Sequence, residues 1–322
     1  MLWTKRAALA ALVLAPLFSS SVQAQNYPNQ PIKFIIQAAA GGLPDTTARI
    51  VARVLQERLG QAVVIENRPG ANGSVAIAAM LSAPADGYSF VVSDGSILSI
   101  NPVIYSKLAY NVAEVVPAVM LARAPLFLAV HPKVPVHSLK ELVAYAASKP
   151  GELNYGSSGV GSTHHLSMEA LSAALKIKMT HVPFKGTGES VPALLGGHVD
   201  LLFSAYPSLS GAVESKKVAV LATNGPQRSP YVPDAPPVAD LVPGFDFAPV
   251  IGLFARAGTP DAVVQKLAAE IAVIVKQPDV VKQFATAGIE PLGLGPADYA
   301  KAMQGEIDRV NDVVKVAGIK PQ

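Results

Sequence analysis

The amino-acid sequence predicts an α/β protein made of two doubly wound domains that are joined by two hinge crossings. Short, nearly continuous apolar runs alternate with amphipathic stretches along most of the chain, which is typical of buried parallel strands connected by helices. The length of 322 residues suits about two domains, each with its own core. Glycine-rich turns follow several apolar runs, at the edge where open α/β sheets bind ligands.

The composition excludes several classes of protein. Half of the residues are apolar, 15% are charged and none is cysteine, which rules out a disulfide scaffold, a thiolate metal site and a disordered chain. The formal net charge is only +3, and lysine and arginine are scattered along the sequence. No nucleic-acid partner is therefore expected.

The N-terminus has the three parts of a signal peptide. Two basic residues precede an apolar run over residues 7–18, and small polar residues follow. The run is too short for a membrane span, which needs about 20 residues, so a signal peptide is favoured over a short interfacial anchor. We expect residues 1–24 to be cleaved near Ala24/Gln25. Loss of the two basic residues lowers the formal charge from +3 to +1.

The first domain begins with repeated strand and helix units. A buried strand is predicted over residues 31–36, a helix over 45–59 and a second strand over 62–65. A helix over 73–81 and a strand over 89–93 follow. Successive βαβ units of this kind indicate a parallel sheet with helices on both faces.

The same alternation continues after two apolar runs at residues 118–121 and 126–130. The elements predicted there are helices over 138–148, 162–175 and 188–195 and strands over 153–155, 179–184, 199–203 and 218–222. After a further apolar run at 247–255, only helices are predicted, over 260–276, 278–287 and 296–316. Helices without strands between them need a sheet to cover, and the sheet of the first domain is the available one.

This order of elements predicts two crossings between the domains, near residues 120–127 and 245–253. The first domain then consists of residues 25–122 together with 249–322, and the second of 123–248. We expect a cleft between them, because the chain passes from one domain to the other at only two places.

Two loops between a strand and a helix are the main candidates for a binding site. The first contains Ala40, Gly41, Gly42 and Asp45, and its small residues leave the backbone accessible. The second, residues 156–163, offers glycines, hydroxyls and the unpaired N–H groups of a helix start, which favour an anion. A single loop of this kind is better explained as a tight strand-to-helix turn with a helix cap, because one glycine-rich turn is a weak motif. Facing each other across a cleft, the two loops are suited to hold one carboxylate.

Other strand ends supply weaker candidates. Asp94 and Ser96 follow a strand of the first domain, while Ser204 and Tyr206 follow a strand of the second. Lys185 is interpreted either as a partner for an acid or as a solvated residue, and Tyr206 either as packing or as a wall of the pocket.

Catalytic and metal-binding patterns are weak. No nucleophile elbow, phosphate loop, dinucleotide fingerprint or metalloprotease helix occurs. The neighbouring His164 and His165 point about 100° apart on a helix, so they do not form a metal pair. His164 is interpreted either as a cap or as a ligand contact, and the four isolated histidines as surface or hydrogen-bonded residues. A hydrolase would have to pair Ser157 or Ser158 with one of the adjacent histidines.

Eight motifs resemble the solute-binding receptors of tripartite tricarboxylate transporters, also called the Bug family, over essentially the whole exported chain. They are Tyr27-Pro28-x-x-Pro31-Ile32, Gly41-Gly42-x-x-Asp45-x-x-Ala48-Arg49, Glu66-Asn67-Arg68-Pro69-Gly70-Ala71-x-Gly73, Ala83-Pro84-Ala85-Asp86-Gly87-Tyr88, Asn101-Pro102, Asn154-Tyr155-Gly156-Ser157-Ser158-Gly159, His181-Val182-Pro183-Phe184-Lys185-Gly186 and Leu195-Gly196-Gly197-His198-Val199-Asp200.

The resemblance implies a type II periplasmic-binding-protein fold that closes on a small organic acid. It implies ligand contacts at Ala40, Gly41, Gly42 and Asp45 on one side and at Ser157, Ser158, Gly161, Ser162, Thr163 and His164 on the other. Two segments depart from the common family pattern: residues 37–40, and 204–206, where an acidic pair is usual. Ser204 and Tyr206 are therefore expected to favour an aromatic or longer acid.

These observations together predict a periplasmic receptor that delivers a mono-, di- or aromatic carboxylate to a membrane permease, or alternatively presents it to a sensor. No covalent chemistry, cofactor or metal is expected, and the protein is expected to be a monomer.

Overall fold

A computed structural model describes residues 27–319 and residue 321. The strands are β1 (Ile32–Ile36), β2 (Val63–Asn67), β3 (Ser89–Ser93), β4 (Val115–Arg123), β5 (Leu126–Val130), β6 (Asn154–Ser157), β7 (Thr180–Pro183), β8 (Leu201–Ala205), β9 (Ala219–Thr223), β10 (Val250–Arg256) and β11 (Glu290–Leu294). The α-helices are α1 (Leu43–Leu59), α2 (Ser74–Leu81), α3 (Ser96–Ser99), α4 (Asn101–Ile104), α5 (Leu139–Ser148), α6 (Thr163–Leu175), α7 (Thr187–Leu195), α8 (Tyr206–Glu214), α9 (Asp261–Ile274), α10 (Pro278–Thr286) and α11 (Pro296–Ala317).

The first sheet has the strand order β11-β4-β10-β3-β1-β2. β1 pairs in parallel with β2 and β3, as the sequence predicts, while β10 pairs antiparallel with β3 and β4. Phe34 faces one side of this sheet and packs in a core with α1, α9 and α10. The neighbouring Ile35 faces the other side and packs with α2 and the first turns of α11. Helices therefore cover both faces, which explains why β1 is almost wholly apolar.

The second sheet has the strand order β7-β6-β8-β5-β9. β6 is parallel to β7 and β8, whereas β5 is antiparallel to β8 and β9. Leu128 packs on one face with α5 and α6. Phe127 packs on the other face with α7 and α8. The predicted fold class, an α/β protein with two helix-covered sheets, is confirmed, and each sheet also contains antiparallel strands.

The prediction that only helices follow residue 255 is wrong, because β11 lies between α10 and α11. β11 pairs antiparallel with β4 at the edge of the first sheet, and the register shifts between Pro291 and Leu294. Proline and glycine are unusual inside a strand, and Gly293 has φ +64. A five-residue edge strand that contains both proline and glycine therefore shows no strand pattern in the sequence. It is recognised as a strand only by its pairing with β4.

The C-terminal helix α11 contacts both halves of the molecule. Near its start, Tyr299 and Met303 pack in the same core as Ile35. Two turns further on, Val310 and Val313 pack in the core of the second sheet. The sequence suggests that the last helices cover only the first sheet. This is true of α9 and α10 but not of α11.

The two crossings between the sheets lie side by side. Ala124 leads from β4 to β5, and its N–H donates to the carbonyl of Pro249 at 3.0 Å. The Asn224 side chain accepts from the Leu126 N–H at 2.7 Å and donates to the Phe247 carbonyl at 2.7 Å. Buried backbone groups need such partners, so Asn224 ties the outgoing crossing to the returning one.

The first sheet takes its strands from residues 32–123 and 250–294, and the second from 126–223. The proposed division into 25–122 with 249–322, and 123–248, is compatible with this arrangement and remains a proposal. The predicted signal peptide lies outside the described residues. None of the helices between residues 27 and 319 combines the length and apolarity of a membrane span.

Replacing Asn224 by alanine is expected to lower the free energy of unfolding by about 2 kcal/mol or more, because buried Leu126 N–H and Phe247 carbonyl groups lose their partner. Denaturant unfolding measures the change. Asn111→Ala is the matched control, since Asn111 is exposed and its side chain accepts only from the Ala113 N–H. Equal losses for the two variants would contradict the role given to Asn224.

Candidate functional site

A cavity of about 1090 Å³ lies between the two sheets. It opens at the carboxyl ends of β1, β3, β6 and β8, where helices begin. This is the place where open α/β sheets bind ligands. The volume lies at the upper end of the range for small-molecule sites, which is roughly 300–1,000 Å³.

The first predicted loop is held in shape by Asp45. Its carboxylate accepts from the Gly41 N–H at 2.8 Å, from Arg49 Nε at 2.9 Å and from Asn67 Nδ2 at 2.9 Å. Burial opposes ionisation of Asp45, but the bonds from Arg49, Gly41 and Asn67 outweigh it and hold the pKa below its usual value. Gly41 has φ +81, which favours glycine. Asp45 thus shapes the loop from behind, while Ala40, Gly41 and Gly42 line the cavity.

The second predicted loop ends in the N-cap of α6. Ser162 Oγ accepts from the His165 N–H at 3.2 Å and donates to the Gly159 carbonyl at 2.7 Å. Ser158 Oγ lies 2.7 Å from His164 Nδ1. Ser158, Ser162, Thr163 and His164 all line the cavity, so this loop presents hydroxyls and a helix start to it.

Three helices of eight residues or more have their first residue in the wall of the cavity. They are α1, α6 and α7, whose first residues Leu43, Thr163 and Thr187 all line it. The first N–H groups of a helix have no acceptor inside the helix, and the helix dipole makes this end positive. Lys185, just before α7, adds a full positive charge to the wall. The cavity is therefore suited to an anion.

Side chains of the first half reach across the cavity to the second loop. Asp94 accepts from Gln37 Nε2 at 2.6 Å and from Ser96 Oγ at 2.7 Å within its own half, and from Thr163 Oγ1 at 2.9 Å across the cavity. Asn72 Nδ2 donates to the Gly161 carbonyl at 3.2 Å. These contacts bridge the two sheets in the described structure.

A stack of three rings supports the second loop from below. His165 and His181 have ring centroids 4.0 Å apart, and Tyr155 stacks on His181 at 4.9 Å. His165 Nδ1 accepts from the Gly161 N–H at 3.2 Å, and His181 Nε2 lies 2.6 Å from Ser157 Oγ. Burial lowers the pKa of both histidines to about 4, and the neighbouring His181 lowers that of His165 further.

His164 is neutral for the same main reason. Burial lowers its pKa to about 4, and the nearby Asp94 carboxylate opposes this only in part. With Nδ1 beside Ser158 Oγ, the ring contributes a hydrogen-bonding wall to the cavity and no charge at neutral pH.

The structure divides the predicted site residues into two groups. Those that line the cavity are Ala40, Gly41, Gly42, Asp94, Ser158, Ser162, Thr163, His164 and Lys185. Those that lie behind the lining are Asp45, Ser96, Ser157, Gly161 and Ser204, all of them buried. Tyr206 lies outside the lining, packed between Phe127 and Tyr231. Tyr206 therefore packs against two aromatic rings, and its expected effect on the ligand stays a prediction.

Several lining residues are missed by the sequence reasoning, among them Gln37, Asn72, Thr187 and Gly188. Asn72 lies in a left-handed turn with φ 45 inside one of the quoted motifs, so the Asn-Gly pair at 72–73 was an available turn signal. No local signal marks Gln37, because its role depends on Asp94, which is distant in sequence.

The geometry gives no support to the hydrolase alternative. In a serine hydrolase a carboxylate orients the histidine that activates the serine. Here the two oxygens of Asp94 accept from Gln37, Ser96 and Thr163, and no described hydrogen bond joins them to His164. Within residues 27–319, no group of three or more metal-ligating side chains is found.

The chain is similar to known receptors over most of its length. The profile of the tripartite tricarboxylate transporter family receptor matches residues 47–319. BugT of Bordetella pertussis is 32% identical over 305 residues, which is 94% of each chain. Rpa4515 of R. palustris, solved with adipate, is 32% identical with a TM-score of 0.85 over 92% of this chain and 100% of that one. MatC (Rpa3494) of Rhodopseudomonas palustris, with bound malate, is 32% identical with a TM-score of 0.77 over 89% and 100%.

Stability is expected to fall as the pH decreases from about 6.5 to 4. An unfolded histidine has a pKa of about 6.5, so between these values the unfolded chain binds protons that folded His164, His165 and His181 do not. Each contributes a slope of at most about 1.4 kcal/mol per pH unit. Thermal melting from pH 7 to 4.5 measures the decline, and His181→Gln is expected to flatten it. The exposed His137→Gln is the control, and a slope equal to that of His181→Gln would contradict the assignment.

Gly41→Ala is expected to destabilise the protein by about 1 kcal/mol, because a Cβ is strained at φ +81 even though nothing lies within 4 Å of it. Gly211→Ala makes the same change inside α8, also with nothing within 4 Å, and is expected to stabilise by up to about 1 kcal/mol. Denaturant unfolding of both variants tests this, and stabilisation by Gly41→Ala would show that the loop adopts another conformation.

Proposed function

Because the chain belongs to the tripartite tricarboxylate transporter family of receptors, we propose that it captures a small organic carboxylate in the cleft and delivers it to a membrane transporter. Proteins of this family are periplasmic, solute-binding receptors and not enzymes, which excludes the hydrolase alternative. The fold is that of periplasmic binding proteins of this type.

The convergence of three helix starts on one cavity is the observation that carries the carboxylate proposal. A carboxylate accepts several hydrogen bonds and gains from the positive ends of helix dipoles. The cavity lining contains Lys185 but no arginine, so backbone N–H groups and hydroxyls supply most donors. The adipate and malate bound by Rpa4515 and MatC are carboxylates of a size that the cavity accommodates.

The charges of the lining favour one orientation for a ligand. Lys185 and the start of α7 lie on one side, beside the exposed Glu189. Asp94 lies on the other side, and its charge is shared among hydrogen-bond donors from three residues. We place a ligand carboxylate toward Lys185 and the start of α7, away from Asp94.

Export and delivery complete the proposal. The predicted signal peptide, cleaved near Ala24/Gln25, places the mature receptor in the periplasm, where it is proposed to act as a monomer. The closed form, in which the ligand touches both loops, is the form that a membrane permease would recognise. Presentation to a sensor uses the same closed form and remains the alternative partner.

Thermal shift with a panel of acids tests the ligand class. Adipate and malate, together with monocarboxylates and aromatic acids, are compared with neutral sugars and divalent cations. An acid at 100 times its dissociation constant is expected to stabilise the protein by about 2.7 kcal/mol. A shift with a sugar or a metal ion and none with any acid would contradict the carboxylate proposal.

Calorimetric titration of the best acid from this panel tests the orientation. Lys185→Gln is expected to weaken binding by about tenfold, which corresponds to one lost charge-assisted contact. Lys140→Gln is the matched control, because Lys140 is an exposed lysine in α5 outside the cavity. Equal affinities for the two variants would show that the carboxylate binds elsewhere in the cavity.

A further inference from the structure

A carboxyl group that the proposed function does not use lies behind the floor of the cleft. Glu306, in the middle of α11, accepts from Ser99 Oγ at 2.6 Å. Its other oxygen, Oε2, lies beside Gly95. A Cβ placed on Gly95 would be only 3.1 Å from this oxygen. Gly95 directly follows Asp94, so Glu306 supports the loop that reaches across the cleft.

Glu306 also borders a second cavity at the crossings between the two halves. This cavity, of about 20 Å³, is lined by Thr163 and Ser167 of α6, by Asp246 and Pro249 of the returning crossing, and by Glu306 with its neighbours on α11. Its volume suffices for one water molecule. Thr163 and Pro249 line the ligand cavity as well, so the two cavities share a wall.

The charges that face Glu306 are mostly negative. No lysine or arginine of the described residues forms an ion pair with it, and Arg309, one turn along α11, has its Nε buried without a partner. A partly buried carboxylate with one hydroxyl donor and acidic neighbours is harder to ionise than an exposed one. The titratable and charged groups around it are Asp94 before α3, Tyr299 and Arg309 on α11, Asp246 on the returning crossing, and Arg123 and Glu290, which surround Asp246 from β4 and β11.

The pKa of Glu306 is raised to about 7, chiefly by burial; Asp94 and Asp246 contribute to the increase, while Ser99 and Arg309 oppose it. The group therefore changes charge across neutral pH, unlike His164, His165 and His181, which stay neutral until the pH falls toward 4.

We propose that Glu306 is a proton-binding site that controls closure of the cleft. In its neutral form the carboxyl tolerates Asp94 in front of it, and Asp94 holds Thr163 of the opposite half. When Glu306 ionises, it repels Asp94 and weakens the contact between Asp94 and Thr163 that holds the two halves together. On the proposed function, an anionic ligand adds a further negative charge nearby, so capture favours uptake of the proton.

Distance measurement between two fluorescent labels tests this without any ligand. Because the chain has no cysteine, Gln56→Cys in α1 and Lys140→Cys in α5 place labels at two exposed positions, one in each half. As the pH rises from 5.5 to 9, the distance is expected to increase with a midpoint near pH 7. Glu306→Gln is expected to keep the short distance throughout, while Glu214→Gln, an exposed glutamate of α8, keeps the transition.

A second variant keeps the proposal testable if Glu306→Gln fails to fold. Ser99→Ala removes the hydroxyl that stabilises the charged form, so the midpoint is expected to move up by about one pH unit. Three results would overturn the proposal. The first is an unchanged midpoint in Ser99→Ala, the second is a transition in Glu306→Gln like that of the parent, and the third is no transition between pH 6 and 8 in the parent. Since no ligand is present, such a result leaves the carboxylate proposal to be decided by the acid panel.

Discussion

The geometry of the cleft depends on the hydrogen bonds that hold the two crossings together. Each crossing is a short extended segment between sheets, and its buried N–H and carbonyl groups have no strand partner of their own. The Asn224 side chain serves both segments, and the Ala124 N–H pairs with the Pro249 carbonyl. Because the chain leaves and re-enters the first sheet at one place, the carboxyl ends of the strands face each other across a single opening.

Backbone dipoles contribute more than side-chain charges to the electrostatic potential at that opening. A net charge of +3 on 322 residues gives the whole molecule little power to attract an anion. Three helix starts directed at one cavity create a local positive potential without arginine, and Asp45 uses its own charge to fix the loop that precedes α1. On the proposed function, selectivity for an acid is built from strand order and turn conformation, which are properties of the fold.

The sequence was informative wherever the signal is local. The parallel β1, the turn at Gly41 and the helix start at the end of the 156–163 loop follow from apolar runs, glycines and hydroxyls, and the structure contains all three. Long-range contacts left no such signal. The strand β11 exists because β4 offers it an edge, and His181 is paired to Ser157 and His165 only after two strands and a helix have assembled. Residues whose role depends on a distant partner are the ones the sequence could not identify.

The fold suppresses the charge of four ionisable side chains around the cleft, three histidines and one glutamate. Burial keeps His164, His165 and His181 neutral, and it pushes Glu306 toward its neutral form near pH 7. On the proposed function, a ligand carboxylate therefore meets neutral histidines beside the second loop, while Asp94 and Glu189 are the acidic residues of the lining. Of these groups only Glu306 titrates at neutral pH, and it lies behind Asp94 at the shared wall of the two cavities. On the proposed role of Glu306, a change of one proton there alters the field on the contact that bridges the halves and leaves the two candidate loops intact.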